Sequence, residues 1–207
     1  MKKLLFSLVL LLVIGFLSGC AMQKREEPDY LARMVDAVVR GDYESGRRAE
    51  EARNAQLLRV GSDEVRVGFE ELSLLARYLA AEAGDHWRTD ELRLCAGEVL
   101  LNRVASAEFP DTLEEVLAEE GLSSRALAAG PAPSRDCARA ALRLLLGERM
   151  LSPSVVYRSE RASGGGTYAI FCDRRLRYTY FCLSEHPELY ESAAENSLIV
   201  DEAAGKR

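Results

Sequence analysis

The sequence predicts an α+β fold, mostly helical, with a small antiparallel sheet. Three observations predict it. In the stretch LSLLARYLAAEAGDHWRTDELRLCAGEVLLNRVASAEFPDT, residues 72–112, the positions Leu72, Leu75, Ala76, Leu79 and Ala83 keep the i, i+3, i+4, i+7, i+11 rhythm of an amphipathic helix. A short polar loop then leads into DELRLCAGEVLLNRV, where Leu92, Leu94, Cys95, Ala96, Val99, Leu100, Leu101 and Val104 surround most of the circumference. A helix apolar nearly all round is a central one. From residue 154 the runs SVVYRSE, GGTYAIFC and RYTYFCLSE turn to Val, Tyr, Phe and Thr, with turns at 163–166 and 173–175, as strands of a hairpin or hairpin pair do.

Taken in order, the chain begins with a Lys pair, an apolar run from Leu4 to Leu17, and Leu17-Ser18-Gly19-Cys20. The run is short for a membrane span and ends in small residues, which predicts an export signal over residues 1–19. Leu-Ser-Gly-Cys looks like a bacterial lipobox, so Cys20 is expected to be lipidated and to tether an exported protein to the outer face of the cytoplasmic membrane. An uncleaved anchor helix would put the folded part outside that membrane as well. Taking 19 from 207 residues leaves 188, enough for one domain with a substantial core. The net charge of −6 argues against nucleic acid as a partner. Residues 20–28 read as a polar tether, and 29–67 as a helical extension interrupted at Gly41 and again at Gly46. Its charged run GRRAEEARNAQ is a solvated face without assigned chemistry. Residues 65–69 are short and extended before the organising helix begins.

Glu82 is the candidate acid. At about 100° per residue it falls roughly 20° from Leu75, at the edge of the buried face and just before Gly84, which offers a left-handed stop. A carboxyl half buried among apolar neighbours can keep its proton and give it to a leaving group; a solvated Glu on a helix end would do nothing of the kind. On the second helix Glu91, Glu98 and Asn102 form a polar stripe at i, i+7 and i+11. Polar groups on a buried helix need internal partners or a water-filled cleft, and the nearness of Glu82 in sequence favours a cleft wall. Trp87, the only Trp, would stack on a sugar ring or pack as an apolar wall. No HExxH or comparable spacing occurs, so neither metal nor cofactor is expected.

At these residues a resemblance emerges. AEAG, W, GEVLLNRV and FPDT, over residues 72–116 and more weakly over 155–182, are similar to the signature of the cell-wall hydrolase family typified by the spore-cortex-lytic enzyme SleB. The resemblance implies a lysozyme-like, lytic-transglycosylase-like domain over residues 68–192, followed by a tail at 193–207. It places the catalytic acid on Glu82, matches Asn102 and Arg103 to LNRV, and implies peptidoglycan, of the spore cortex or cell wall, as the substrate. Glycan contacts are expected from Asp85, Trp87, Glu98, Asn102, Tyr168 and Tyr180. Two departures stand out. AEAGDHW lacks the Arg and second Glu of the commoner EARGE form, for which Asp85 would stand in. EEGLSSRAL at 119–127 replaces a Gln-aromatic-Ser element of the cleft.

Asp111 with Glu114 predicts an N-cap for the next helix, and Ser134 starts another that stops at Gly147. The tyrosines Tyr157, Tyr168, Tyr178 and Tyr180 serve either cross-strand packing or a sugar chain. Four cysteines follow Cys20, and an exported chain permits three pairings of them, with Cys172–Cys182 the most local; Cys95 is better placed as a small core residue. Lytic transglycosylation needs a single acid, which suits a chain with no dependable second carboxylate. Its rivals are a catalytically silent lipoprotein binding wall glycan or a sporulation partner, and a cysteine peptidase using Cys137 and His186.

Overall fold

The computed structural model describes residues 29–83, 89–173 and 176–190. Helices α1 (Tyr30–Arg40), α2 (Tyr43–Val60), α3 (Phe69–Ala83), α4 (Asp90–Val104), α5 (Leu113–Glu119), α6 (Ser124–Ala129) and α7 (Arg135–Leu145) precede a sheet of β1 (Val155–Ser159), β2 (Thr167–Cys172) and β3 (Tyr178–Leu183). The α+β architecture, mostly helical with one small antiparallel sheet, is therefore as expected. Among the described residues no helix is long and apolar enough to cross a membrane.

The N-terminal helices do more than extend the domain. Met34, Val35, Ala37 and Val38 of α1 and Ala49 of α2 belong to the same core as Leu72, Leu75, Ala76 and Leu79 of α3 and Ala138, Ala141 and Leu144 of α7. Gly41 ends α1 in the left-handed region, as the sequence predicts. Gly46 does not interrupt α2. A Cβ there would lie 2.1 Å from Phe69 Cε2, so the bare backbone is the seat of that ring. On the same helix Glu50 accepts a 3.1 Å hydrogen bond from the Phe69 amide, satisfying the first N–H of α3 from another element. Together α2's glycine and glutamate fix where α3 begins.

Helix α4 is central. Of its residues Leu92 to Leu100 all are buried, and Gly97 admits α7, since a Cβ there would stand 2.5 Å from Leu144 Cδ1. One side joins the main core through Leu94, Ala96 and Leu100. The other, through Leu92, Cys95 and Val99, meets Val155 and Phe181 of the sheet in a second apolar cluster. The cap of α5 is one residue later than expected: Thr112, not Asp111, accepts from the Glu115 amide, and the Thr112 hydroxyl donates to Glu115 Oε2 at 2.6 Å in return. The pattern is T-x-x-E rather than D-x-x-E, and the glutamate reaches back to the cap's hydroxyl instead of to its backbone N–H. Ser134 caps α7 as predicted.

Strand order is β1-β3-β2, so β3 is the middle strand and only β2 and β3 form a hairpin. Register slips between Val155 and Tyr157, which leaves Val155 and Val156 both completely buried and sets Arg158 opposite Phe181. The pairing also separates the two sheet cysteines. Cys172 faces Tyr178 while Cys182 faces Thr167. At roughly 3.3 Å per residue, the four residues from Tyr178 to Cys182 put them about 13 Å apart along the sheet, well beyond the roughly 7 Å a disulfide tolerates. The four cysteines at 95, 137, 172 and 182 are all free thiols.

Candidate functional site

Helix α3 delivers Glu82 to its last described turn, with one third of the side chain exposed. What meets the carboxylate is a charge and not an apolar wall: Arg158 Nη2 of β1 donates to Glu82 Oε2 at 2.6 Å. The arginine side chain is 18% exposed. Its guanidinium carbon stands 6.0 Å from the ring centroid of Tyr78, one turn before Glu82 on the same helix. Burial pushes the Tyr78 hydroxyl up to about 12. Burial alone would lower the Arg158 pKa, but Tyr78 and Glu82 outweigh it and hold the guanidinium above its ordinary value. The site at rest therefore contains an ion pair stacked on a buried ring.

Around this pair lies an open cleft of about 260 Å³, lined by Glu82, Arg158, Ser159, Glu160, Arg177, Tyr178 and Thr179. Arg177 is fixed from behind by Asp173, through its backbone N–H at 3.0 Å and its Nε at 2.8 Å. Two carboxylates, two guanidinium groups, three hydroxyls and one half-exposed ring make a wall suited to a polyhydroxylated ligand with charged substituents. Of the larger hollows on α1 and α2, one is lined by Tyr30, Arg33, Asp36, Arg40 and Arg48, and the other holds the buried Arg53, whose guanidinium is bound to the Val65 carbonyl at 2.9 Å and pairs at 3.4 Å with Glu64, a carboxylate that is 69% exposed. Among the described residues no group of three or more His, Cys, Asp or Glu side chains converges as metal ligands would.

Several residues expected at the site are elsewhere. Glu98 is completely buried, and its carboxylate accepts the backbone N–H of Met150 at 2.7 Å and of Leu151 at 3.0 Å. Burial raises its pKa despite those two bonds. Asn102, 7% exposed, donates both Nδ2 protons to main-chain carbonyls, Ser152 O and Val155 O, each at 3.0 Å. The stripe on α4 thus finds internal partners in place of a cleft, and only Glu91 faces solvent. Tyr168 is half exposed on β2, and Tyr180 pairs with Ile170 across the sheet; Tyr178 is the sheet tyrosine that lines the cleft. Asp85, Trp87 and Cys20 lie outside the described residues. Cys137 is completely buried in the main core, while His186 is exposed and pairs with Glu188, so the Cys137 thiol is not presented at the surface for the expected pairing with His186.

The buried polar residues nevertheless act on the site through the backbone. Arg103, next to Asn102, donates from Nε to Val156 O at 2.6 Å and lies over the rings of Phe109 and Tyr157 at 5.1 and 5.7 Å. Asn102 and Arg103 therefore hold β1 by the carbonyls of Val155 and Val156, three and two residues before the arginine that meets Glu82. Sequence reasoning missed Arg158, Glu160 and Arg177. For Arg158 and Glu160 the available signal was a pair of opposite charges two residues apart in the run VVYRSE. No family model, curated protein or solved structure matches the chain, so the likeness to the cell-wall hydrolases rests on the motifs themselves.

Proposed function

We propose that the protein cleaves the glycan strands of peptidoglycan as a lytic transglycosylase, with Glu82 as acid and then base, on an exported chain tethered through lipidated Cys20. The observation that carries the reading is Glu82 at the head of a polar, sugar-sized cleft, held by Arg158 at 2.6 Å. In the forward step the glycosidic oxygen takes the proton of Glu82 as its bond to the muramyl C1 breaks. The muramyl 6-hydroxyl oxygen then bonds to C1 and returns its proton to Glu82, so no water is consumed. One carboxyl serves both halves, which is general acid–base catalysis by a single group.

A second reading has its own observation. Glu160 lines the same cleft, and a hydrolase needs a second carboxylate to activate water or to attack C1. Product masses separate the two readings. An anhydro end, one water lighter than a reducing end, marks transglycosylation. Glu82→Gln is expected to abolish cleavage of purified peptidoglycan, a loss of at least about 10²–10⁴-fold, with an unchanged circular dichroism spectrum. Glu160→Gln should leave anhydro products forming. Cleavage retained in folded Glu82→Gln would overturn the assignment of the acid, and a silent wild type would favour a wall-binding lipoprotein.

A further inference from the structure

We infer that Arg158 is the receptor for a carboxylate on the glycan, and that its ion pair with Glu82 is the contact which that carboxylate exchanges. The inference rests on the reading of Glu82 as the acid and names the substrate feature that the site selects.

Three observations lead to it. First, Arg158 is a poor candidate for a merely solvated charge, because its side chain is 18% exposed and its guanidinium lies over the Tyr78 ring. Such a group, once its partner is taken away, needs another anion or stands desolvated and unpaired. Second, its position is set before any ligand arrives. The carbonyls of Val155 and Val156 are bound by Asn102 and Arg103, so little ordering remains to be done on binding. Third, Arg158 and Glu82 both open onto the cleft, where a ligand reaching the acid must also reach the cation.

The chemistry then selects the ligand. Glu82 can give a proton to a glycosidic oxygen only as the neutral acid, and it is tied up as a hydrogen-bond acceptor while Arg158 Nη2 points at its Oε2. A neutral sugar offers the guanidinium only hydroxyls. A carboxylate matches its planar fork with charge-assisted bonds and can replace Glu82 as the partner. Exchange frees the Glu82 carboxyl inside a cleft now covered by substrate. On a peptidoglycan strand that carboxylate comes either from the lactyl ether of a muramyl residue bearing no peptide or from the stem peptide of one that does. The shared feature is an anionic group close to the scissile bond.

Binding tests this independently of cleavage. Full-length Glu82→Gln protein is titrated calorimetrically with three muramyl oligosaccharides: peptide-free with a free lactyl carboxylate, the same with that carboxyl amidated, and one carrying a stem peptide. Amidation is expected to weaken binding roughly ten- to a hundredfold, the worth of a charge-assisted hydrogen bond. Tight binding of the free acid assigns the lactyl group, and tight binding of the stem-peptide form alone assigns the peptide carboxylate. In the Arg158→Gln background the preference should vanish, and Arg158→Lys should restore part of it, which a role in folding alone would not do. The amidation comparison needs no change at Arg158, so it holds even where Arg158→Gln fails to fold. Equal affinity for all three ligands, persistence of the preference in folded Arg158→Gln, or binding of none of the three overturns the inference. A wild type that shows the preference yet releases no product would refute the enzymatic reading and leave the receptor intact.

Discussion

Replacing Asn102 by Asp exchanges an NH₂ for an oxygen and changes almost nothing in shape. Its two Nδ2 bonds, to Ser152 O and Val155 O at 3.0 Å each, become contacts between acceptors. The position is 7% exposed, and the buried Glu98 lies one turn earlier on the same helix. Each carbonyl left without a donor costs about 1–3 kcal/mol, so the pair costs about 2–6 kcal/mol. That is a large share of the roughly 5–15 kcal/mol that keeps a domain folded, and it corresponds to a melting temperature lower by about 10 °C. The deficit also depends on pH. In the folded state two carbonyls and Glu98 raise the new carboxyl's pKa above its unfolded value of about 3.9. A group that binds its proton more tightly when folded loses stability as pH rises. The deficit should therefore be smallest near pH 4, where the protonated acid can donate to one carbonyl, and grow to its full size by pH 7. Urea denaturation followed by circular dichroism at both pH values measures it. A variant within about 0.5 kcal/mol of wild type at pH 7, or a deficit that does not shrink in acid, would refute the clamp. It would return Asn102 to the cleft, where a substrate contact has no reason to affect folding.

Gly46→Ala should destabilise the protein by about 1–3 kcal/mol or more, because its Cβ would sit 2.1 Å from the Phe69 ring, whereas Gly68→Ala, with nothing nearer than 3.9 Å, should stay close to wild type in the same denaturation assay. Of the four thiols at 95, 137, 172 and 182, only Cys172 is exposed, so a thiol reagent mapped by mass spectrometry should label it alone in the native state. Cys95 is further protected because burial pushes its thiol up to about 11. Oxidation should not yield a Cys172–Cys182 bridge, and finding one in a digest would refute the strand register. The mature chain isolated from membranes should begin at a diacylglyceryl-modified Cys20; an unmodified Cys20 or another N-terminus would remove the lipid tether.

The helical part of this fold is written locally, and its legibility follows from that. The spacing of Leu72, Leu75, Ala76 and Leu79 marks the buried side of α3, and the nearly all-apolar α4 announces its central place. Glu98 and Asn102 were visible as polar residues on a buried helix, yet their partners are main-chain groups some fifty residues away. Backbone N–H and C=O groups are the same at every position, so a sequence cannot say which of them a side chain will find. Arg158 escaped for another reason. Strict alternation would group it with Val156, and the slip between Val155 and Tyr157 turns it beside Phe181 toward Glu82. Bulges of this kind leave no reliable mark in composition. The cap at Thr112 and the uninterrupted helix at Gly46 show the same limit at closer range. The residue types were right, and the neighbouring Glu115 and the ring of Phe69 decided how they were used.

Glu98, Asn102 and Arg103 share one feature: all three grip main chain between Met150 and Val156, two amides and three carbonyls in all. Such a grip measures length and ignores identity. Side chains at Met150 or Ser152 are open to exchange, since neither supplies the group that is held. One residue inserted or deleted in this segment would set donors against donors and acceptors against acceptors, and would carry Arg158 past Glu82. Helix α4 thus works as a gauge for its neighbour, tolerant of spelling and strict about count.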